Sequence, residues 1–387
     1  MTTPEAGSAV VGPVEVGPIA HGGHCVARLD GRVLFVRHAL PGERVMVRLT
    51  DTSHESFWRG DAVEVLDGSP DRIAPACPVA GPGGCGGCDF QHVAPAAQRA
   101  LKAAVLHEQL AHLAGVELDV DVEPLPGGMF GWRTRMAYVL VGGQARMRRH
   151  RSSDLVTVPA GGCPLAVADQ PDPHGIAAGR EGTHELRLVT ASTGTTTILL
   201  DDVATGPDPV TEHAAGRDWL VAADGFWQVH PAAASTLAGV VADGLQPQAG
   251  DRAFDLYCGV GLFAGALVDA GAQAWGVEVS RPAIELARRN VPQARFTAGR
   301  VDRVIRRMPR STDLVVLDPP RVGAGREVVD AVVARRPRAI AYVACDPAAL
   351  GRDLRRLLDG GYRLDTLRAF DLFPNTHHLE AVAVLSR

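Results

Sequence analysis

The chain reads as an α/β protein: a doubly wound, mostly parallel sheet, preceded by a small β-barrel and a cysteine-bearing α+β segment. Three observations predict it. From Phe226 onward short apolar strands alternate with helical stretches, the pattern of a sheet covered by helices on both faces. Up to about Asp67 the apolar residues instead follow a partial period of two, broken by turn signals. Between them, from residue 68 to 225, sit four of the seven cysteines, among glycine and proline. A length of 387 residues exceeds one ordinary core and predicts two or three domains. We place them at 1–67, 68–225 and 226–387.

Composition narrows the class. Hydrophobic residues make up 46% and charged residues 21%, which excludes a disordered chain. There is no run of about 18 uncharged apolar residues, and no basic-then-apolar leader. The expectation is a soluble, cytoplasmic protein with no membrane partner and no obligate protein partner. An odd cysteine count in such a compartment argues against a disulfide framework and for metal ligation or catalysis.

In the first segment "RVLFVRHA", "RVMVRLT" and "DAVEVLD" are rich in valine and separated by "LDGR" and "LPGE". Several short strands in so few residues predict a small OB-like barrel, a class that often binds oligonucleotides. The second segment begins at "SPDRIAPACP". A helix over 94–115 interrupts it, with Leu101, Val105, Leu106, Leu110 and Leu113 on one face, and this helix is free to pack on the last domain. A hairpin over 182–200 turns near Ser192 to Gly194. The stretch 168–179, with two prolines and no periodicity, is expected to be a loop. In the third segment the strands are "RAFDLY", "QAWGVEV", "ARFT", "DLVVLD", "AIAYVAC", "YRLDTLRAF" and "LEAVAVLS", with helices opening near Leu262, Pro282, Val301, Glu327 and Pro347.

Ligands of such a sheet bind outside the carboxyl ends of its strands. Gly259 and Gly261 lie between the first strand and its helix, where glycine lets the backbone approach a ligand. The second strand ends in Glu278, whose carboxylate suits the two hydroxyls of a ribose. The third glycine of a dinucleotide fingerprint is absent, since Ala264 occupies its place. A nucleoside cofactor without pyrophosphate, such as S-adenosylmethionine, fits better than NAD. Two further strand ends carry chemistry. Asp318 closes one, in "LDPPR", and can orient a polar ligand edge. Cys345 closes the next, before a helix N-terminus at Pro347 that favours the thiolate. Glu380 opens the last strand, at the same lip, where a carboxylate can act as general base. His377 and His378 beside it lack metal-ligand spacing and read as turn or packing residues.

Cys77, Cys85 and Cys88 have the spacing C-x7-C-x2-C, and Cys163 follows 75 residues later. Four thiolates suit a [4Fe–4S] cluster or zinc, and spacing alone leaves both open. A net charge of −5 gives no global case for nucleic acid. The single lysine, Lys102, stands in a chain otherwise based on arginine, which reads as base composition. Two arginine clusters, Gln144–Arg151 and Gly299–Arg310, are dense enough to meet phosphates. A solvated surface explains either equally well.

Together "FWQVH", "DLYCGVG", "GVEVS", "LDPPR", "YVACDPAALGRDL" and "FPNTHHLEAV" resemble, in order and spacing, the RNA uracil-C5 methyltransferases that use S-adenosylmethionine. The resemblance spans the chain from about Phe226. It implies a Rossmann-like class I methyltransferase domain. The N-terminus resembles a TRAM domain, and "ACPVAGPGGCGGCDFQH" resembles that family's iron–sulfur motif, a combination similar to the 23S ribosomal RNA branch. Carried over by residue, the resemblance implies Cys345 as the nucleophile that adds to uracil C6 and Glu380 as the base that removes the C5 proton. It implies Gln228, Tyr257, Gly259, Gly261, Glu278 and Asp318 at the cofactor. It favours iron–sulfur over zinc at Cys77, Cys85, Cys88 and Cys163. Leu262 departs from the asparagine that many members carry there and puts one cofactor hydrogen bond in doubt. A transfer-RNA substrate, a methyltransferase acting on another substrate, and a non-catalytic RNA-binding protein are the competing readings.

Overall fold

A computed structural model describes residues 9–387. Five strands, Val10–Ala20, His24–Leu29, Arg32–Arg37, Arg44–Asp51 and Phe57–Asp67, close into a barrel. Its interior is packed by Leu34, Val36, Val45, Val47 and Leu49. The first two strands lie outside the period-two stretches read from the sequence. Pro13, Pro18 and two glycines interrupt the alternation of the first, and its ladder shifts register between Val11 and Val14.

The sheet that dominates the molecule has eight strands. Five run parallel, in the order Arg295–Ala298, Gln273–Glu278, Arg252–Leu256, Leu314–Leu317 and Ala339–Ala344. Glu380–Ser386 then pairs antiparallel with Ala339–Ala344, and Arg363–Asp371 with Glu380–Ser386. Leu314–Leu317 and Ala339–Ala344 are buried at every position, as strands covered on both faces must be. One core, with the helices Ala233–Leu245, Leu262–Asp269 and Arg281–Asn290, fills one face. A second, with Pro95–Ala114, Arg326–Arg335 and Pro347–Asp359, fills the other.

The central segment is woven into this sheet. Val122–Pro124 adds its eighth strand, parallel to Ala369–Asp371. The helix Pro95–Ala114 lies against Pro347–Asp359. Gly351 makes that approach possible, because a Cβ there would lie 2.9 Å from the Cβ of Leu113. What remains of the segment is a six-stranded antiparallel sheet around Met136, Tyr138, Leu140, Leu186 and Leu188, and a hairpin, Val210–Ala214 with Arg217–Val221, that drives Trp219 into the large core. Within the expected loop 168–179 there is a short helix, Pro173–Ala177. Asp172 caps it by accepting a hydrogen bond from the His174 amide, at 3.0 Å. Proline at the first helical position starts a turn too short to show periodicity. No helix among the described residues is long and apolar enough to cross a membrane.

Candidate active site

The turn after Arg252–Leu256 is shaped by backbone geometry. Tyr257, Gly259 and Gly261 all have positive φ, at 69°, 53° and 97°. The amides of Tyr257 and Cys258 both donate to the Val277 carbonyl, at 2.8 and 3.0 Å, which locks the turn to the neighbouring strand. Glu278 reaches back to it: one carboxylate oxygen accepts from the Gly259 amide at 3.4 Å and the other from Ser280 at 2.9 Å. Tyr257, Gly259, Gly261 and Glu278 therefore lie together at the carboxyl ends of Arg252–Leu256 and Gln273–Glu278, with Asp318 at the end of the adjacent parallel strand. Leu262 is buried at the first turn of its helix, so no polar side chain reaches these strand ends from that position. Cys258 is buried packing. Gln228 is buried in the segment leading into Ala233–Leu245 and, among the described residues, its side chain makes no hydrogen bond.

Sequence reasoning overlooked Asp255. It is fully buried beneath the turn, accepts from the Ala264 amide at 2.8 Å, and leaves its other oxygen without a partner. Burial pushes its carboxyl up to about 7, and the charges of Asp318 and Glu278 add to the effect.

Strand register builds the reactive corner. Ala344 pairs with Ala381 across an antiparallel ladder, so the next residue on each strand, Cys345 and Glu380, face each other at the carboxyl lip. A pocket opens over Cys345, lined by Arg321, Lys102, His377 and His378, and by His21, Gly22 and Gly23 from the barrel. The barrel is thus part of the site, a contribution with no local sequence signal. His21 Nε2 lies 3.0 Å from Asp346, the carboxylate that caps the helix behind the thiol. Arg321 contacts His378 at 3.1 Å.

The electrostatics differ from the sequence expectation. The helix N-terminus does follow Cys345, yet the thiol is pushed up to about 12: burial comes first, then the Glu380 charge, with Arg321 opposing both. Glu380 itself is raised well above the carboxylate range by burial, then by Asp318, and again Arg321 opposes. Asp318 is raised by burial, then by Glu278. The corner strongly resists holding several negative charges at once.

Cys77, Cys85, Cys88 and Cys163 converge on one small cavity, all as free thiols. The Gly87 amide donates to Cys85 Sγ at 3.3 Å and Gln91 Nε2 to Cys88 Sγ at 3.2 Å. Trp132, in the same buried cluster, has an indole N–H without an acceptor. Among the described residues no set of three or more His, Cys, Asp or Glu side chains is arranged to hold a metal ion. The fold establishes the convergence of the thiols and not a metal centre.

Both arginine clusters keep free cations: in Gly299–Arg310 the exposed Arg303, Arg307 and Arg310 are, among the described residues, free of ion pairs. Arg300 pairs with Asp302 and Arg306 with Glu327. In the other cluster Arg148, Arg149 and Arg151 are exposed and, among the described residues, free of ion pairs, which leaves them available to phosphates.

Comparison with known proteins agrees with this architecture. The sequence model of the TRAM domain matches residues 11–63, the barrel. That of the tRNA (uracil-5-)-methyltransferase family matches residues 305–387. An uncharacterized RNA methyltransferase of Streptomyces avermitilis is 45% identical, covering 96% of this chain and 97% of its own. A 23S rRNA (uracil(1939)-C(5))-methyltransferase of Alcanivorax borkumensis is 30% identical, over 97% and 96%. The chain belongs to the RNA uracil-C5 methyltransferase family. The fold of this family member is also that of the tRNA (uracil-54, C5)-methyltransferase of Pyrococcus abyssi, solved in complex with S-adenosyl-L-homocysteine: TM-score 0.75 at 22% identity, over 96% of this chain and 99% of that one.

Proposed function

We propose that this enzyme transfers a methyl group from S-adenosylmethionine to C5 of a uridine in 23S ribosomal RNA, through a transient bond between Cys345 and C6 of the base. The observation that carries the reading is the register that sets Cys345 opposite Glu380 at the lip of the sheet. Uracil C5 is a weak nucleophile. Cys345 first gives up its thiol proton to solvent; Sγ then bonds to C6, the C5–C6 π electrons move onto C5 and O4 as an enolate, and C5 would take the methyl group with release of S-adenosylhomocysteine. Glu380 then removes the C5 proton, the S–C6 bond breaks, and the ring is restored. The cofactor supplies an electrophilic methyl on a sulfonium, whose positive charge eases ionisation in a corner that resists negative charge. Tyr257, Gly259, Gly261, Glu278 and Asp318 would hold it, with Gln228 as a further amide contact. The target base must leave its stack to reach the pocket, and Arg148, Arg149 and Arg151 are suited to the flanking backbone. The 23S assignment rests on the relative that is 30% identical across nearly the whole chain.

We further propose that the four cysteines hold a [4Fe–4S] cluster, with zinc as the alternative. The four-sulfur donor set, the single cavity and the N–H donors to two of the sulfurs support it. Methyl transfer consumes no electrons, so its role is structural.

The test is methyl transfer to 23S and transfer-RNA transcripts, with 5-methyluridine mapped by mass spectrometry on protein purified without oxygen. Methylation of 23S RNA alone is expected, along with about four iron and four sulfide per chain. Methylation of transfer RNA alone would replace the substrate, and no methylation of either would reject the activity. Stoichiometric zinc in a colourless protein would overturn the cluster.

A further inference from the structure

We infer that Asp89, the residue after Cys88, is a positioning residue for the Glu380 carboxylate, acting through His377. This rests on the covalent reading above, in which Glu380 is needed only after the RNA has bonded to the enzyme.

The loop from Leu372 to Leu379 delivers Glu380 to the lip. Little of what holds it comes from its own domain. The amides of Asp89 and Phe90 both donate to the Asn375 carbonyl, at 2.9 and 3.0 Å. Asn375 has φ 69° and is held in that left-handed conformation by a closed amide pair with Gln98: its own amide donates to Gln98 Oε1 at 2.9 Å, and Gln98 Nε2 donates to Asn375 Oδ1 at 3.1 Å. Gln98 Nε2 also lies 2.9 and 3.0 Å from the carbonyls of Phe90 and Val93, which fixes it to the cysteine loop.

Asp89 is the hub. Its carboxylate is buried. One oxygen accepts from Arg37 of the barrel at 3.2 Å. The other accepts from the His377 amide at 3.1 Å and lies 2.6 Å from His377 Nδ1. One side chain therefore ties together the barrel, the cysteine loop and the catalytic loop, three residues before Glu380. The fit leaves no slack, since a Cβ on Gly23 of the barrel would lie 2.6 Å from the His377 Cβ. On the other side Gln91 is anchored at the thiol cavity, accepting from the Cys77 amide at 2.9 Å and donating to Cys88 Sγ. Phe373 packs into the same buried cluster as Cys77, Cys88 and Trp132. A displacement of the cysteine loop consequently passes to His377 and on to the base. Asp89 itself does not line the pocket over Cys345; it reaches that pocket only through His377.

The prediction is specific to one step. Asp89→Asn and His377→Ala should lower turnover about 10- to 100-fold, the effect of misplacing a catalytic group by about 1 Å. With an ordinary uridine transcript both should accumulate a denaturant-resistant protein–RNA adduct that wild type resolves. With a 5-fluorouridine transcript, whose adduct cannot lose a proton from C5, Asp89→Asn should be trapped as fully as wild type. His377→Asn keeps a donor at the Nδ1 position and should recover most of the resolution rate. The Asp89→Asn/His377→Ala double variant should be no slower than the slower single. Unchanged adduct lifetimes overturn the inference. So does trapping that falls in step with turnover, because that is general destabilisation. If wild type itself fails to be trapped by the fluorinated transcript, the covalent reading falls and this inference with it.

Discussion

Replacing Cys345 with alanine should abolish methyl transfer, lowering turnover by at least about 10⁴-fold, in the range seen when a covalent nucleophile is removed. The loss is large because nothing else at the lip can do the work. Glu380 sits opposite, but a carboxylate is a far weaker nucleophile toward C6 than a thiolate, and its adduct would revert before C5 could react. His377 and His378 line the same pocket, but Asp89 and Arg321 hold them. Serine should not rescue the variant, because its hydroxyl ionises far less readily than a thiol already pushed up to about 12. Fold and cofactor binding should survive. Cys345 makes no hydrogen bond among the described residues, and the turn around Gly259 and Glu278 is built from other strands. The measurement is single-turnover methylation with radiolabelled cofactor, beside calorimetric binding of the cofactor. Full turnover in Cys345→Ser would sink the mechanism, whereas loss of cofactor binding together with activity would show that the site had collapsed.

The catalytic sheet was legible because its signals are local. "LVVL" and "AIAYVA" are unbroken apolar runs of strand length, and only burial on both faces permits them. The placement of three candidate side chains was legible for the same reason, since Asp318 and Cys345 directly follow such a run and Glu380 opens one. The parts that stayed hidden are tertiary. Val122–Pro124 is three residues long and becomes a strand only because the edge at Ala369–Asp371 is open to pair with it. His21 carries no motif, and reaches Asp346 only because the barrel docks there. The thiol's ionisation was misjudged because a helix N-terminus is visible in sequence, while the burial and the opposing Glu380 are not. Lys102 was visible as the only lysine of the chain, but composition explained it too easily.

Lys102→Ala should lower folding stability by about 3–5 kcal/mol, the range for removing one partner of a buried ion pair. Lys102 Nζ lies 2.6 Å from Asp371 Oδ1 and 3.2 Å from the Phe373 carbonyl, and the two side chains are 0% and 2% exposed. The loss exceeds that of a missing contact, because Asp371 would be left buried and unpaired at the root of the catalytic loop. A total of roughly 5–15 kcal/mol is typical of a domain, so the shift should be plain in urea unfolding followed by tryptophan fluorescence. Replacing the pair together, as Lys102→Met/Asp371→Leu, removes both charges and should recover most of the loss. Arg99→Ala, one turn away, should change stability by less than about 0.5 kcal/mol, because this half-buried side chain makes no ion pair among the described residues. A Lys102→Ala unfolding free energy within about 1 kcal/mol of wild type would mean that Asp371 finds another partner. Lys102→Arg should not substitute, because a planar guanidinium is longer and wider than the ammonium this fully buried position encloses. In a chain that otherwise uses arginine for every cation, this is where a compact point charge is required.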